Sequence, residues 1–281
     1  MEQSKMVLFS FFISFLLSFV LSKLAYSYGF LDIPFERKGH PFPVALGGGM
    51  AIFLSLTLSS MILGGPYELL IFSSVLIMIG LVDDIFDLPA FLKLVFQFMI
   101  STVWLIYKPF VLLGDPFLDF IGGLLWIVVL INAFNIIDGI DGLASGVAIL
   151  SSIGLAIEGE KFALLIIGAS IGFFVLNYPP ARIFLGDAGA YLLGFLIGSL
   201  SLNLLKDFSL PSISKIFFLV LFPLIDITWT VLRRWIKGQP AMVGDEKHIH
   251  HFLRRKLGGK AALIVLLLVQ GMSVLIGVWC F

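Results

Sequence analysis

Ten apolar runs, at roughly 6–27, 46–64, 68–82, 92–108, 119–133, 143–157, 161–177, 188–205, 213–233 and 261–280, follow one another along the chain with only short polar segments between them. In hydrocarbon a single segment must satisfy its own N–H and C=O groups, and only a helix does this without a partner. The expected fold is therefore an all-α integral membrane protein of about ten transmembrane helices, forming one polytopic domain over residues 1–281. Composition agrees, with 59% of the 281 residues in the AVILMFWYC set and 13% charged, against about 45–50% and about 25% in soluble domains. A soluble enzyme, a disulfide scaffold and a disordered tail are excluded, and no nucleic-acid partner is expected. The first run carries one lysine, Lys5, and lacks a small-residue cleavage pattern, so it reads as a retained anchor, not a signal peptide. Cys280 has no partner in the chain.

Net charge is zero, but its distribution orients the chain. With ten spans, loops 1, 3, 5, 7 and 9 share a side, and they hold twelve basic residues against four in the even loops. The positive-inside rule places the odd loops in the cytoplasm and both termini outside.

The same odd loops carry the polar chemistry. Loop 1 reads Arg37-Lys38-Gly39-His40 ahead of Gly47-Gly48-Gly49, loop 3 holds Asp83, Asp84 and Asp87, and loop 5 runs from Asn132 through Asn135, Asp138 and Asp141 to Gly142. Loop 7 runs from Asn177 to Phe184, Gly186 and Asp187, and loop 9 carries His248, His250 and His251. Asp83 and Asp87 are four apart, so a helical turn brings like charges onto one face, where a cation or a shared proton is needed to hold them. A solvated helix end is the plainer alternative for that pair. Asn135, Asp138 and Asp141 repeat at intervals of three with glycines between, a set of hard oxygen ligands that suits Mg²⁺; a helix cap needs only one of them. Three histidines among arginines and lysines suit phosphate oxygens or lipid headgroups better than zinc, for which no cysteine or clear fourth ligand is at hand. Carboxylates for a metal and cations for phosphate on one inner face describe phosphoryl transfer between anionic substrates, one of them a lipid. An ion-coupled transporter is the rival from another class, and it would want charge near mid-span, where only Asp226 is a candidate.

These motifs resemble the polyprenyl-phosphate N-acetylhexosamine-1-phosphate transferases, which move a sugar 1-phosphate from a UDP-sugar to a polyprenyl phosphate. The resemblance runs from Arg37 to His251 through Arg37-Lys38-Gly39-His40, Asp83-Asp84-Ile-Phe-Asp87, Asn132-Ala-Phe-Asn135-Ile-Ile-Asp138-Gly-Ile-Asp141-Gly, Phe184-Leu-Gly186-Asp187 and His248-Ile-His250-His251. The family often has serine where this chain has Ala190. The resemblance implies that Asn135 and Asp187 are Mg²⁺ ligands, with Mn²⁺ a substitute. It makes Asp83 and Asp84 the paired catalytic aspartates, with Asp87 and His248 in the same catalytic set. Asp138 and Asp141 would line the nucleotide-sugar pocket, Phe184 would stack on uracil, and Lys38, Asn177, His250 and His251 would meet the substrate. The His-Ile-His-His pattern is similar to the branch using UDP-GlcNAc or a related UDP-N-acetylhexosamine; the phospho-N-acetylmuramoyl-pentapeptide transferases are the alternative. A bacterial inner membrane and an undecaprenyl acceptor follow only from this resemblance; the active site is expected on the cytoplasmic side that the positive-inside rule gives the odd loops, and a homodimer is a further expectation.

Overall fold

A computed structural model describes residues 2–33, 42–205, 207–238 and 248–281. Among the described residues the helices are joined by turns and loops, and the two strands are a two-residue antiparallel pair, β1 (Leu31–Asp32) with β2 (Val44–Ala45). The helices are α1 (Glu2–Tyr28), α2 (Gly48–Leu63), α3 (Tyr67–Phe86), α4 (Ala90–Tyr107), α5 (Pro116–Ile137), α6 (Leu143–Ile157), α7 (Phe162–Asn177), α8 (Gly186–Leu202), α9 (Leu210–Leu219), α10 (Leu221–Ile236), α11 (Ile249–Leu257) and α12 (Gly259–Trp279). Each of the ten apolar runs holds a helix. Five of these, α1, α3, α4, α5 and α12, are long and apolar enough to cross a membrane, and the α9–α10 pair makes a sixth candidate. The remaining four, α2, α6, α7 and α8, are apolar but only 15–17 residues long.

The run 213–233, expected as one span, is two helices that meet at 84°. Pro223 is the cause: it has no N–H to give the carbonyl four residues back, Leu219 O, so the helix cannot run through. Ser151 Oγ and Gln270 Nε2 donate to Leu219 O at 2.6 and 2.7 Å, Ser273 Oγ donates to Phe218 O, and Gln270 Oε1 accepts from Phe222 N–H at 3.1 Å. The break is thus tolerated in an apolar setting because α6 and α12 supply the hydrogen bonds the helix gives up.

α1 is packed inside out relative to a soluble helix. Ser10, Ser14, Ser18 and Ser22 form its buried stripe while Phe12, Leu16 and Phe19 face outward. The stripe lies against α7, where a Cβ on Gly168 or Gly172 would run into the α1 backbone. Small residues let two backbones approach closely, and Ser14 Oγ donates to Ala169 O at 2.6 Å across the seam.

α8 is the axis of the molecule. Every residue from Ala188 to Leu202 is buried, and α2, α3, α5 and α6 surround it. A helix apolar on all sides is buried in a core or in lipid; here neighbouring helices enclose it, and that fixes where its first turn, the centre of the polar cluster, lies.

Candidate active site

The C-terminal ends of α3, α5 and α7 and the N-terminal ends of α4, α6 and α8 converge. The chain at α3 turns because Asp87 adopts the left-handed conformation at φ 48 and Pro89 bars the helix from continuing, so α4 restarts at Ala90 and brings Lys93 back over the aspartates. Lys93 Nζ is 2.8 Å from Asp83 Oδ1 and 3.7 Å from both Asp87 Oδ1 and Asp187 Oδ2. In the sequence Lys93 counts only among the basic residues that orient the chain; its place six residues after Asp87, just past a Leu-Pro turn, is the available signal.

Asp83 is enclosed and fully engaged: besides Lys93 it accepts from Leu88 N–H at 2.9 Å and from the Tyr191 hydroxyl at 2.6 Å. Tyr191 lies four residues beyond Asp187 on the same face of α8, within an apolar run where a tyrosine does not stand out. Asp84 and Asp138 hold the first turn of α8. Asp187 N–H and Ala188 N–H donate to the Asp84 carboxylate at 2.7 and 3.4 Å, and Gly186 N–H donates to Asp138. These are the N–H groups a helix start leaves unpaired, and the macrodipole there favours negative charge. Gly186 has φ 74, and a Cβ on it would stand 2.6 Å from Asp84 Oδ2, so glycine is required at that approach.

Asn135 and Asp187, separated by 52 residues, are in direct side-chain contact, and the Asp187 carboxyl also meets that of Asp83. Burial and the charges of Asp187, Asp84 and Asp141 push the Asp138 carboxyl well above the ordinary carboxylate range. Four carboxylates, Asp83, Asp84, Asp138 and Asp187, gather here, and among the described residues the lysine paired with them is Lys93, through Asp83 and Asp187. That surplus of hard oxygen donors with unbalanced charge fits a divalent cation such as Mg²⁺.

Next to the cluster opens a cavity of about 530 Å³, lined by Phe184, Asp141, Arg254, Lys260, the Pro179–Pro180 turn and Tyr26, among others. Its size is in the range of small-ligand sites. Asp141 Oδ2 accepts from Ala181 N–H at 3.0 Å, which ties the loop after α5 to the loop before α8. Arg254, another lining residue, donates to Gly139 O at 3.2 Å.

The expected site residues thus separate into groups. Asp83, Asp84, Asn135, Asp138 and Asp187 are brought together, and Asp141 and Phe184 line the adjoining cavity. Asp87 has a fully exposed side chain with Lys93 its nearest charge. Asn177 was expected to meet substrate. Its amide is instead committed internally, accepting from Gly142 N–H at 2.9 Å and Ser145 Oγ at 3.2 Å and donating to Ile183 O at 2.9 Å, and it lies behind the cavity wall. His248 and His250 are buried and turned toward Asp226, not toward open phosphate-binding space. His251 is half-buried, and burial together with neighbouring His250, His248 and Arg254 lowers its pKa to about 4, so it is an uncharged ring at neutral pH. Lys38 lies outside the described residues.

Residues 67–205 match the family description Glycosyl transferase family 4. Over 267 residues, 94% of this chain and 87% of the relative, the chain is 33% identical to an undecaprenyl-phosphate alpha-N-acetylglucosaminyl 1-phosphate transferase of Thermotoga maritima. A probable undecaprenyl-phosphate N-acetylglucosaminyl 1-phosphate transferase of Bacillus subtilis is 34% identical over 262 residues, covering 83% of this chain and 72% of the relative. A decaprenyl-phosphate N-acetylglucosaminephosphotransferase of Mycobacterium tuberculosis is 28% identical over 283 residues, covering 82% and 70%.

Proposed function

Because the chain belongs to glycosyl transferase family 4, we propose that it transfers N-acetylglucosamine 1-phosphate from UDP-N-acetylglucosamine to a polyprenyl phosphate such as undecaprenyl phosphate, and releases UMP. The observation that carries the reading is the aspartate–lysine cluster at one end of the bundle, beside a cavity that offers an aromatic ring and two cations. The names of the relatives narrow the sugar to N-acetylglucosamine and the acceptor to a polyprenyl phosphate.

Phe184 is positioned to take the uracil ring at the cavity wall, and Arg254 and Lys260 to meet anionic oxygens. Asn135 and Asp187 would hold Mg²⁺, or Mn²⁺ in its place, which when bound offsets the negative charge of the diphosphate. Lys93 adds a fixed positive charge where two polyanions must approach. The acceptor needs little help from a base: a phosphate monoester has its second pKa near about 6 and is mostly dianionic at neutral pH. Its oxygen attacks the β-phosphorus of the UDP-sugar, a new P–O bond forms, and the bond from that phosphorus to the bridging oxygen breaks to release UMP. What supports direct attack over an aspartyl intermediate is that Asp83 and Asp84, the two candidate nucleophiles, already accept hydrogen bonds from Lys93, Tyr191 and the backbone. We read all ten apolar helical segments as spans in a bacterial inner membrane, with the cluster on the cytoplasmic side. Purified enzyme given sugar-labelled UDP-N-acetylglucosamine and polyprenyl phosphate in detergent should form labelled lipid and UMP in equal amounts. Retention of the label on protein, or no lipid product from any UDP-N-acetylhexosamine, would refute the reading.

A further inference from the structure

Asp226 belongs to neither the aspartate cluster nor the cavity, yet it is fully buried in α10 and organises the histidine string. Its Oδ1 accepts from Ile249 N–H at 2.8 Å, and its Oδ2 lies 2.9 Å from His250 Nδ1 and 3.3 Å from His248 Nδ1. Thr230 Oγ1 donates to Asp226 O at 2.9 Å and lies 2.8 Å from His248 Nδ1. A carboxylate oxygen can only accept, so the contact of Asp226 Oδ2 with His250 calls for a proton on His250 Nδ1.

The opposite edge of His250 is the informative one. Its Nε2 is buried and has no hydrogen-bond partner among the described residues. It is packed against Gly139, where a Cβ would lie 2.7 Å from that nitrogen and 2.9 Å from His251 Cε1. Gly139 follows Asp138, which holds the start of α8, and comes two residues before Asp141, which lines the cavity. One ring thus joins an internal carboxylate to the turn that carries two site aspartates. For packing alone, apolar side chains would fill this space without the cost of burying a carboxylate and an unpaired ring nitrogen.

We propose that Asp226 is a positioning residue for the transfer reaction: by holding the Nδ1 proton of His250 it fixes the ring with Nε2 against the Gly139 turn, and so sets where Asp138 and Asp141 stand. This rests on the transferase reading above. The carboxylate has a role distinct from the mid-span ion relay of a transporter, since both its oxygens are already committed within the protein. Asp226, His248 and His250 also bring possible ligand atoms within 4.8 Å of one another. A metal there would need the Nδ1 lone pair of His250, the position where the Asp226 carboxylate calls for a proton.

Asp226→Asn keeps the size of the side chain but turns an N–H₂ toward His250 Nδ1, which forces the other tautomer. The full-length enzyme with Asp226→Asn should lose kcat by on the order of a hundredfold or more, the scale of wrong-tautomer substitutions, with the KM for UDP-N-acetylglucosamine changed less than about threefold. If Asp226 acts through His250, the Asp226→Asn/His250→Gln double variant should be no slower than His250→Gln alone. Unchanged turnover in Asp226→Asn, or losses that multiply in the double variant, would overturn the proposal. Nitrogen NMR of histidine-labelled wild-type protein reads the same claim without activity and without a variant that must fold. A proton on Nδ1 of His250 is expected, while a ring protonated on Nε2 alone, or zinc bound at stoichiometry, would overturn it. Absence of transfer by the wild type would count against the function proposed above and leave the NMR result to decide the role of Asp226.

Discussion

Lys93 faces Asp83, Asp87 and Asp187 within 3.7 Å and is the described cation nearest to the carboxylate cluster. Its removal should cost transition-state stabilisation more than binding, because the charge it opposes grows as the two phosphates meet. Lys93→Gln is expected to lower kcat by about 10²–10³-fold, the range seen when a fixed electrostatic donor is lost, in steady-state assays of detergent-purified enzyme; a drop below threefold would remove Lys93 from the mechanism. At this scale the sequence was partly legible. Asp83, Asp84, Asn135, Asp138 and Asp187 stood out because carboxylates and amides are rare beside apolar runs, and the structure gathers them. Lys93 and Tyr191 did not stand out, since a lysine after a turn and a tyrosine in an apolar run each have an ordinary explanation until the fold brings them to Asp83. Asn177 differs from these: its side-chain amide is engaged in holding loops together, through its bonds to Gly142, Ser145 and Ile183.

Whole elements were easier to read than their joints. Hydropathy locates each helix because the helix is the one way an isolated segment satisfies its backbone in hydrocarbon, and every run does contain one. It could not show that α9 and α10 part at 84°, because the groups that make the break tolerable, Ser151, Gln270 and Ser273, sit on other helices. Pro223 was the only local sign. The short helix α11 carries a testable consequence of burial. His251 takes up a proton at about 4 in the folded protein, below the ordinary 6.5. The unfolded chain therefore binds the extra proton first, and stability that is fully present above 6.5 is lost as the pH falls toward 4. His251→Gln should accordingly show a smaller fall in melting temperature than wild type across that acid range, followed by thermal unfolding in detergent. Parallel curves for the two proteins would mean the ring is not held uncharged by its surroundings.

At the scale of the molecule, the enclosed α8 and the serine–glycine seam between α1 and α7 hold the bundle together, and alternate helix ends deliver the site to a single side. That side is expected to be cytoplasmic. Cys280 is exposed and is the single cysteine of the chain, so it serves as a native probe. In intact cells an impermeant thiol reagent should reach Cys280, and also a cysteine placed at Lys161, but not one at Lys237 in a Cys280→Ala background. Labelling of the Lys237 position from outside would reverse the arrangement. The central claim is that the sugar leaves the nucleotide together with one phosphate, and the bond that breaks can be read directly. UDP-N-acetylglucosamine radiolabelled in its β-phosphate, incubated with enzyme, Mg²⁺ and polyprenyl phosphate, should deliver the label to the lipid and leave unlabelled UMP, and both products should vanish with Asp187→Ala or excess EDTA. Labelled UDP with the sugar alone on the lipid, or full transfer by the Asp187→Ala protein, would contradict the account.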